Sequence, residues 1–221
     1  MRTPIRLSSH TLVATLAVLA LNCGKSSPKA AFSRAIQQQL GAQGDLCIGF
    51  ERWPVDVRPD DTAALEQLSA LEKAGVLVGA DETVKSDVQR GNVRIRRYRL
   101  TPQGRQSFKG SAEDRGDVCY GQKKLVQVEK WEGPLSIGQF EQAKVVYTYR
   151  LEGLPAWTSS LQVKSAFPVL ARNVGSGGQG STEVLLTRTS EGWEAKTSRL
   201  LERERDFRPG TPPQQVMTRL P

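Results

Sequence analysis

Two short segments of this 221-residue chain are near copies of each other: residues 45–49 read DLCIG and residues 117–121 read DVCYG. Their cysteines, Cys47 and Cys119, are the two left once the N-terminal apolar run and Cys23, which stands just after it, are set aside. If Cys47 and Cys119 pair, one covalent bond ties the start of the folded region to its middle. Every admissible fold must then bring those segments together. A bridge closing roughly 70 residues is worth about 4 kcal/mol through the entropy it removes from the unfolded chain, less any strain. The alternative is two buried thiols.

The N-terminus suggests the compartment in which such a bond would form. Arg2 and Arg6 give a basic start, and residues 11–21 (TLVATLAVLAL) form an apolar run without a charge. That run is too short to span a bilayer comfortably, so residues 1–22 are expected to be a cleaved export signal. Small-x-small cleavage sites are poor, whereas Cys23 follows at once. This arrangement resembles a bacterial lipoprotein signal, which implies diacylation of Cys23 as the first mature residue. It departs from that pattern at Ala20, where an aliphatic residue is usual, and at Asn22, where a small one is. Three cysteines then divide into one acylated residue and one disulfide in an oxidising compartment.

The sole histidine, His10, lies inside the expected signal. A mature chain without histidine excludes His-based triads, His general bases and His-containing metal sites. Removal of residues 1–22 takes two Arg and no acid, leaving 29 Lys plus Arg against 23 Asp plus Glu, a net charge of +6. Outside the cytoplasm that balance favours anionic surfaces or acidic partners as much as nucleic acid.

After a polar tether over residues 23–29, Ala31, Phe32, Ala35, Ile36 and Leu40 recur at helical spacing, and Gly41 is expected to stop that helix. An extended segment through Phe50 follows, and Pro54 argues against a regular element around it. Asp60, Asp61 or Thr62 can cap a second helix whose Leu65, Leu68 and Leu71 share a face and which Gly75 ends. Val76 to Val78 read as a short strand, then a polar connection, then a strand over residues 92–100 (NVRIRRYRL). In that strand Val93 and Ile95 alternate on one face and Tyr98 and Leu100 on the other, which predicts a bulge near Arg96.

The run from Leu71 through Gly75 to Leu77, a variable loop, and then residues 98–105 (YRLTPQGR) resembles the recognition helix and wing of winged-helix repressors of the multiple-antibiotic-resistance and phenolic-acid types. The resemblance implies a winged-helix-like unit over residues 30–112. Arg90, Arg94, Arg96, Arg97 and Arg99 crowd its wing. In a cytoplasmic regulator they would contact DNA phosphate. In an exported chain they form a solvated basic face, or meet anionic lipid or an envelope protein. Charge reversal at Arg96 and Arg97 is then expected to weaken such contact and leave the fold intact.

Residues 110–116 (GSAEDRG) read as a boundary, beyond which the apolar period becomes two. Val126 and Val128 pair on one face, as do Val145, Tyr147, Tyr149 and Leu151. Residues 184–196 read as a hairpin turning at Gly192, and residues 159–170 as a short helix carrying Leu161, Ala166 and Phe167. An antiparallel β-rich unit over residues 113–202 with that helix against its sheet is expected, followed by a mobile tail over residues 203–221. The fold class is thus α+β, a winged-helix-like α/β-hairpin domain followed by an antiparallel sheet domain with one short helix.

Residues 119–121 (CYG), Val145, Tyr147, Tyr149, residues 155–157 (PAW), Val163, residues 166–168 (AFP), Gly192 and Trp193 resemble a group of exported proteobacterial proteins, some of which carry the name of a carbapenem intrinsic-resistance (immunity) protein. That resemblance implies a periplasmic β-lactam immunity or ligand-binding role as one alternative, and supplies no catalytic residues.

Residues 175–182 (GSGGQGST) have the glycine spacing of a phosphate-binding loop, but Ser181 stands where that motif needs Lys, so a flexible hairpin loop is expected. The acidic pairs Asp60 with Asp61 and Glu113 with Asp114 sit at turns or helix starts, where capping explains them. Trp131, Tyr147, Tyr149, Trp157 and Trp193 can form a core or line a groove. The expectation is a non-enzymatic, lipid-anchored envelope protein of the periplasmic face, at the outer membrane, acting as a binding or scaffold module without cofactor or metal. Its partner would be another envelope protein or an anionic membrane surface. A winged-helix DNA-binding regulator whose apolar N-terminus stays in the cytoplasm is the other alternative.

Overall fold

The structure, a computed structural model, describes residues 27–50, 52–86, 91–195 and residue 207. In chain order the elements are α1 (Pro28–Gln43), β1 (Asp45–Ile48), β2 (Val55–Val57), α2 (Thr62–Lys73), β3 (Leu77–Ser86), β4 (Gly91–Leu100), α3 (Pro102–Gln106), β5 (Phe108–Ala112), β6 (Arg115–Ile137), β7 (Phe140–Glu152), a 3-10 turn (Ala156–Ser159), α4 (Leu161–Ala166), α5 (Pro168–Gly175), β8 (Gln179–Thr189) and β9 (Gly192–Ala195). The fold is mixed α+β with antiparallel sheets. One sheet runs β1-β6-β7-β8-β9 with β5 also on β6, and a second runs β2-β4-β3.

The cysteine pair is joined. Cys47 and Cys119 stand opposite one another in the β1–β6 ladder, and their sulfurs are bonded at 2.05 Å. The two copies of the motif use their acids differently. Asp117 Oδ1 accepts the Phe50 N–H at 2.9 Å, fixing the chain as it leaves β1, while Asp45 is paired with Lys109 at 2.6 Å. Trp53 adds two bonds to the same hairpin: its backbone N–H donates to Asp114 O and its indole Nε1–H to Gly116 O, both at 2.8 Å.

Helix α2 follows its sequence closely. Asp61 is the N-cap, accepting from the Ala64 N–H, and Leu68 and Leu71 are fully buried with Leu65 packed beside them. At its end Gly75 takes φ +77, and the Val76 N–H reaches back to Leu71 O at 2.9 Å. A left-handed turn of this kind favours glycine. Helix α1 runs further than Gly41, from the Ser27 cap to Gly44, because one interior glycine costs only about 1 kcal/mol against a buried stripe of Phe32, Ala35, Ile36 and Leu40.

Two buried clusters cut across the expected boundary at residues 112 and 113. The first gathers Val55, Val57, Leu68, Leu71, Leu77 and Tyr98 with Ile48, Val118 and Tyr120, and then with Trp157, Val163, Phe167 and Leu170 from the second half. The second joins α1, through Phe32, Ile36 and Leu40, to Val128, Ala143, Val145, Tyr147 and Leu186. Thus α1 belongs with the large sheet, whereas α4 folds onto α2, where Gln67 Nε2 donates to Ala166 O at 3.0 Å, and α5 follows on α4 with Asn173 Nδ2 donating to the Tyr120 hydroxyl at 2.8 Å. Strand β6 enters both clusters, with Val118 and Tyr120 in one and Val128 in the other. Residues 110–116 form the β5–β6 hairpin, not a break between units.

Several local expectations are corrected. Val126 and Val128 do not share a face, because the β6–β7 register shifts between Leu125 and Gln127; Val126 is left 52% exposed while Val128 is buried. The polar stretch after Val78 continues as β3, paired with β4 residue for residue to Ser86 without a bulge at Arg96. Leu161 is 78% exposed, and the buried stripe of that region is Val163, Phe167 and Leu170. The glycine-rich residues 175–182 join α5 to β8, where Ser181 pairs with Thr148 in the ladder, so they cradle no phosphate. Phe207, the described residue of the expected tail, is buried against Phe50 with ring centroids 4.9 Å apart. The alternation of Val145, Tyr147 and Leu151 toward the core holds as expected.

The second cluster makes stability sensitive to alkali. Burial, with a smaller contribution from neighbouring Tyr149, pushes the Tyr147 phenol up to about 12. The folded value lies above the unfolded one of about 10, so stability is intact below pH 10 and is lost as the pH rises through 10 to 12. Between pH 9 and pH 11 urea titration should register a loss of roughly 1 kcal/mol. Tyr147→Phe should flatten that slope.

Candidate functional site

Four of the five candidate arginines, Arg94, Arg96, Arg97 and Arg99, are distributed over both faces of the β2-β4-β3 sheet. Register places Arg97 opposite Asp56 of β2 and Ala80 of β3, and Arg96 opposite Val57 and Asp81. Alternation therefore sends Arg94 and Arg96 to one face, Arg97 and Arg99 to the other. On the first face the Arg96 guanidinium bonds Glu72 of α2 at 3.0 Å, Asp81 at 3.1 Å and the Tyr98 hydroxyl at 3.1 Å. The Glu72 hydrogen bond, then that of Asp81, hold Arg96 well above the usual arginine range. On the second face Arg97 makes a two-point contact with Asp56 at 2.6 and 2.7 Å and reaches Glu82 at 2.8 Å; Arg99 takes the other oxygen of Glu82 at 2.9 Å. The Asp56 contact, followed by weaker effects, raises Arg97 as well.

Three of the five arginines thus tie strands and helix together through paired, planar, charge-assisted contacts. The sequence places their acids, Asp56, Glu72, Asp81 and Glu82, in four positions that only the register brings together. Arg94 is exposed and has no ion pair among the described residues. Arg90 lies outside the described residues, as does Cys23. Arg94 and Arg96 border a groove of 430 Å³ between the start of α2 and strands β3 and β4, lined also by Pro59, Leu65, Asp81, Glu82 and Ile95. Two acids and two bases on its walls leave that groove without strong net charge.

Charge reversal at Arg96 and Arg97 is therefore not neutral for folding, since each new carboxylate would face Glu72 and Asp81, or Asp56 and Glu82. Removing one partner is a milder test. Asp56→Ala leaves a largely buried guanidinium with one acid fewer and should cost about 1–3 kcal/mol in urea unfolding. Arg94→Ala should stay within about 0.5 kcal/mol of the parent.

The aromatic candidates divide between the two cores. Trp157 is buried in the first, its Nε1–H donating to Ser107 Oγ at 3.2 Å, and Tyr147 is buried in the second. Trp131 and Trp193 both meet Phe32 edge-on, at 5.8 and 5.1 Å. A smaller cavity of 380 Å³ lies over Cys119 and is bordered by Lys109, Lys124 and Glu152. Among the described residues no cluster of His, Cys, Asp or Glu is arranged to hold a metal ion, and no helix is long and apolar enough to cross a membrane.

One feature went unread in the sequence. The outer part of the β6–β7 hairpin, residues 131–140, is exposed throughout and carries Leu135, Ile137 and Phe140 at its end. Apolar residues on both sides of Gly138, with no helix-period partner nearby, were the available signal.

No protein-family model, curated protein or solved structure matches the chain.

Proposed function

We propose that this chain is an exported envelope protein, lipid-anchored through Cys23, that works as a non-enzymatic binding or scaffold module. The observation that carries this reading is the Cys47–Cys119 bond, made across two paired strands and separated by 72 residues. A disulfide in such a place is at home in an oxidising compartment. The charge-free apolar run of residues 11–21, just ahead of Cys23, supports the same address.

Two observations favour a protein or membrane partner over nucleic acid. Strands β2 and β3 are joined by the single helix α2, where a helix-turn-helix would supply two helices. The exposed side of α2 offers Thr62, Ala63, Glu66 and Lys73, which is no basic surface for a DNA groove. The winged-helix-like arrangement then serves as a structural frame, with Arg94 the described wing arginine open to an anionic partner.

Acylation is tested by feeding cells a labelled fatty acid. Label should enter the protein in the membrane fraction and be lost in Cys23→Ser. Unlabelled protein recovered from the cytoplasm with Met1 intact would contradict the reading and favour the regulator.

A further inference from the structure

The end of the β6–β7 hairpin is apolar on one face. Ile137 stands opposite Phe140 and Leu135 opposite Gln142, so Leu135, Ile137 and Phe140 share a side, at 62%, 57% and 45% exposure. The β7–β8 ladder ends at the pair Gln142 and Thr187, and residues beyond it form a two-stranded arm outside both cores. Neighbouring charge is partly cancelled: Glu141 pairs with Arg188 at 3.1 Å and Lys144 with Glu183 at 2.9 Å. An exposed apolar set of this kind on a soluble body marks an interaction surface.

Its position says which surface. Helix α1 starts beside the part of β6 that leads into the arm, with Phe32 against Trp131, and ends beside Lys123, whose N–H bonds Gly44 O at 2.8 Å. It therefore runs antiparallel to β6, and the chain before Pro28 departs from the end of the molecule toward which the arm projects. The helix from Pro28 to Phe32 covers about 6 Å. The stretch of β6 from Trp131 to Ile137, which ends in the arm, covers about 15–20 Å. Its apolar end therefore stands roughly 10–14 Å past Pro28, and the five residue steps back to Cys23 reach at most about 17 Å. An acyl anchor on Cys23 and the arm's end can thus meet the same bilayer plane.

We propose that Leu135, Ile137 and Phe140 enter the boundary between lipid headgroups and acyl chains, making the arm a second membrane contact that orients the anchored protein. This rests on the lipid-anchored reading above. Aliphatic and aromatic residues on a projecting turn are suited to that layer, and a single acyl attachment benefits from a second contact.

The test uses purified full-length protein and its Phe140→Trp variant with vesicles of phosphatidylethanolamine and phosphatidylglycerol containing brominated lipid. Phe140→Trp should show a blue shift and at least about twofold more quenching than the parent, while Leu161→Trp, placed on α4 of the other cluster, should add none. Ile137→Trp, on the same face, replaces Phe140→Trp if that variant fails to fold. Absence of added quenching overturns the arm contact. When mass spectrometry finds Cys23 acylated in that sample only the arm proposal fails; when Cys23 is unmodified the anchored reading fails too. A blue shift that appears without vesicles and grows with protein concentration assigns the end of the arm to a second copy of the chain, and also overturns the proposal.

Discussion

Replacing Cys47 and Cys119 together by Ser is expected to lower stability by about 4 kcal/mol, the entropy that a closed loop of this length removes from the unfolded chain. The bond spans 72 residues and joins β1, at the end of the large sheet, to β6. For a chain of this size the loss corresponds to a fall in melting temperature of roughly 8–16 °C. Calorimetry of the parent with and without reductant should give the same fall as the double substitution. A change of only a degree or two would mean that the β1–β6 ladder holds itself together and the bond adds little.

The second large effect is at Phe32, which is fully buried and wedged edge-on between Trp131 and Trp193. Phe32→Ala should cost about 3–5 kcal/mol, because the two indoles are held by different strands and cannot close the cavity. The loss should be local before it is global. Amide exchange should accelerate first at Val145 to Leu151, facing α1, while α2 keeps its protection. Equal acceleration in α2 would place α1 with the first cluster and contradict the partition of the two cores.

Where apolar period and local chemistry agreed, the sequence was readable. The Asp61 cap, the Leu68 and Leu71 face, the Gly75 stop and the alternation from Val145 to Leu151 all depend on residues within a few positions of each other. Errors came from partners distant in the chain. Asp81, Glu82 and Lys85 read as a loop because strand propensity cannot register that Arg96, Arg97 and Arg99 lie across the ladder or beside it. Val126 is turned outward by a single inserted residue, a register shift that sequence period does not reveal and that the next shift, between Val128 and Lys130, follows at once. The exchange of helices between the halves, α1 onto the large sheet and α4 onto α2, has no local signature at all.

The candidate site was legible as a basic wing but not as a paired one. Five arginines within ten residues suggest a surface that attracts anions, whereas Glu72 sits on another element and Asp56 far upstream. Each pairing turns a candidate contact into a strut. The apolar end of the arm was hidden for the opposite reason: Leu135, Ile137 and Phe140 look like ordinary strand residues until the ladder shows that nothing covers them.

Export with oxidation is the claim on which the rest depends, and the intact mass of the non-reduced protein extracted from membranes tests it most directly. The account predicts a chain beginning at Cys23, heavier by its acyl groups and lighter by the two hydrogens lost when Cys47 and Cys119 join. A chain that retains Met1 and carries three alkylatable thiols would contradict it.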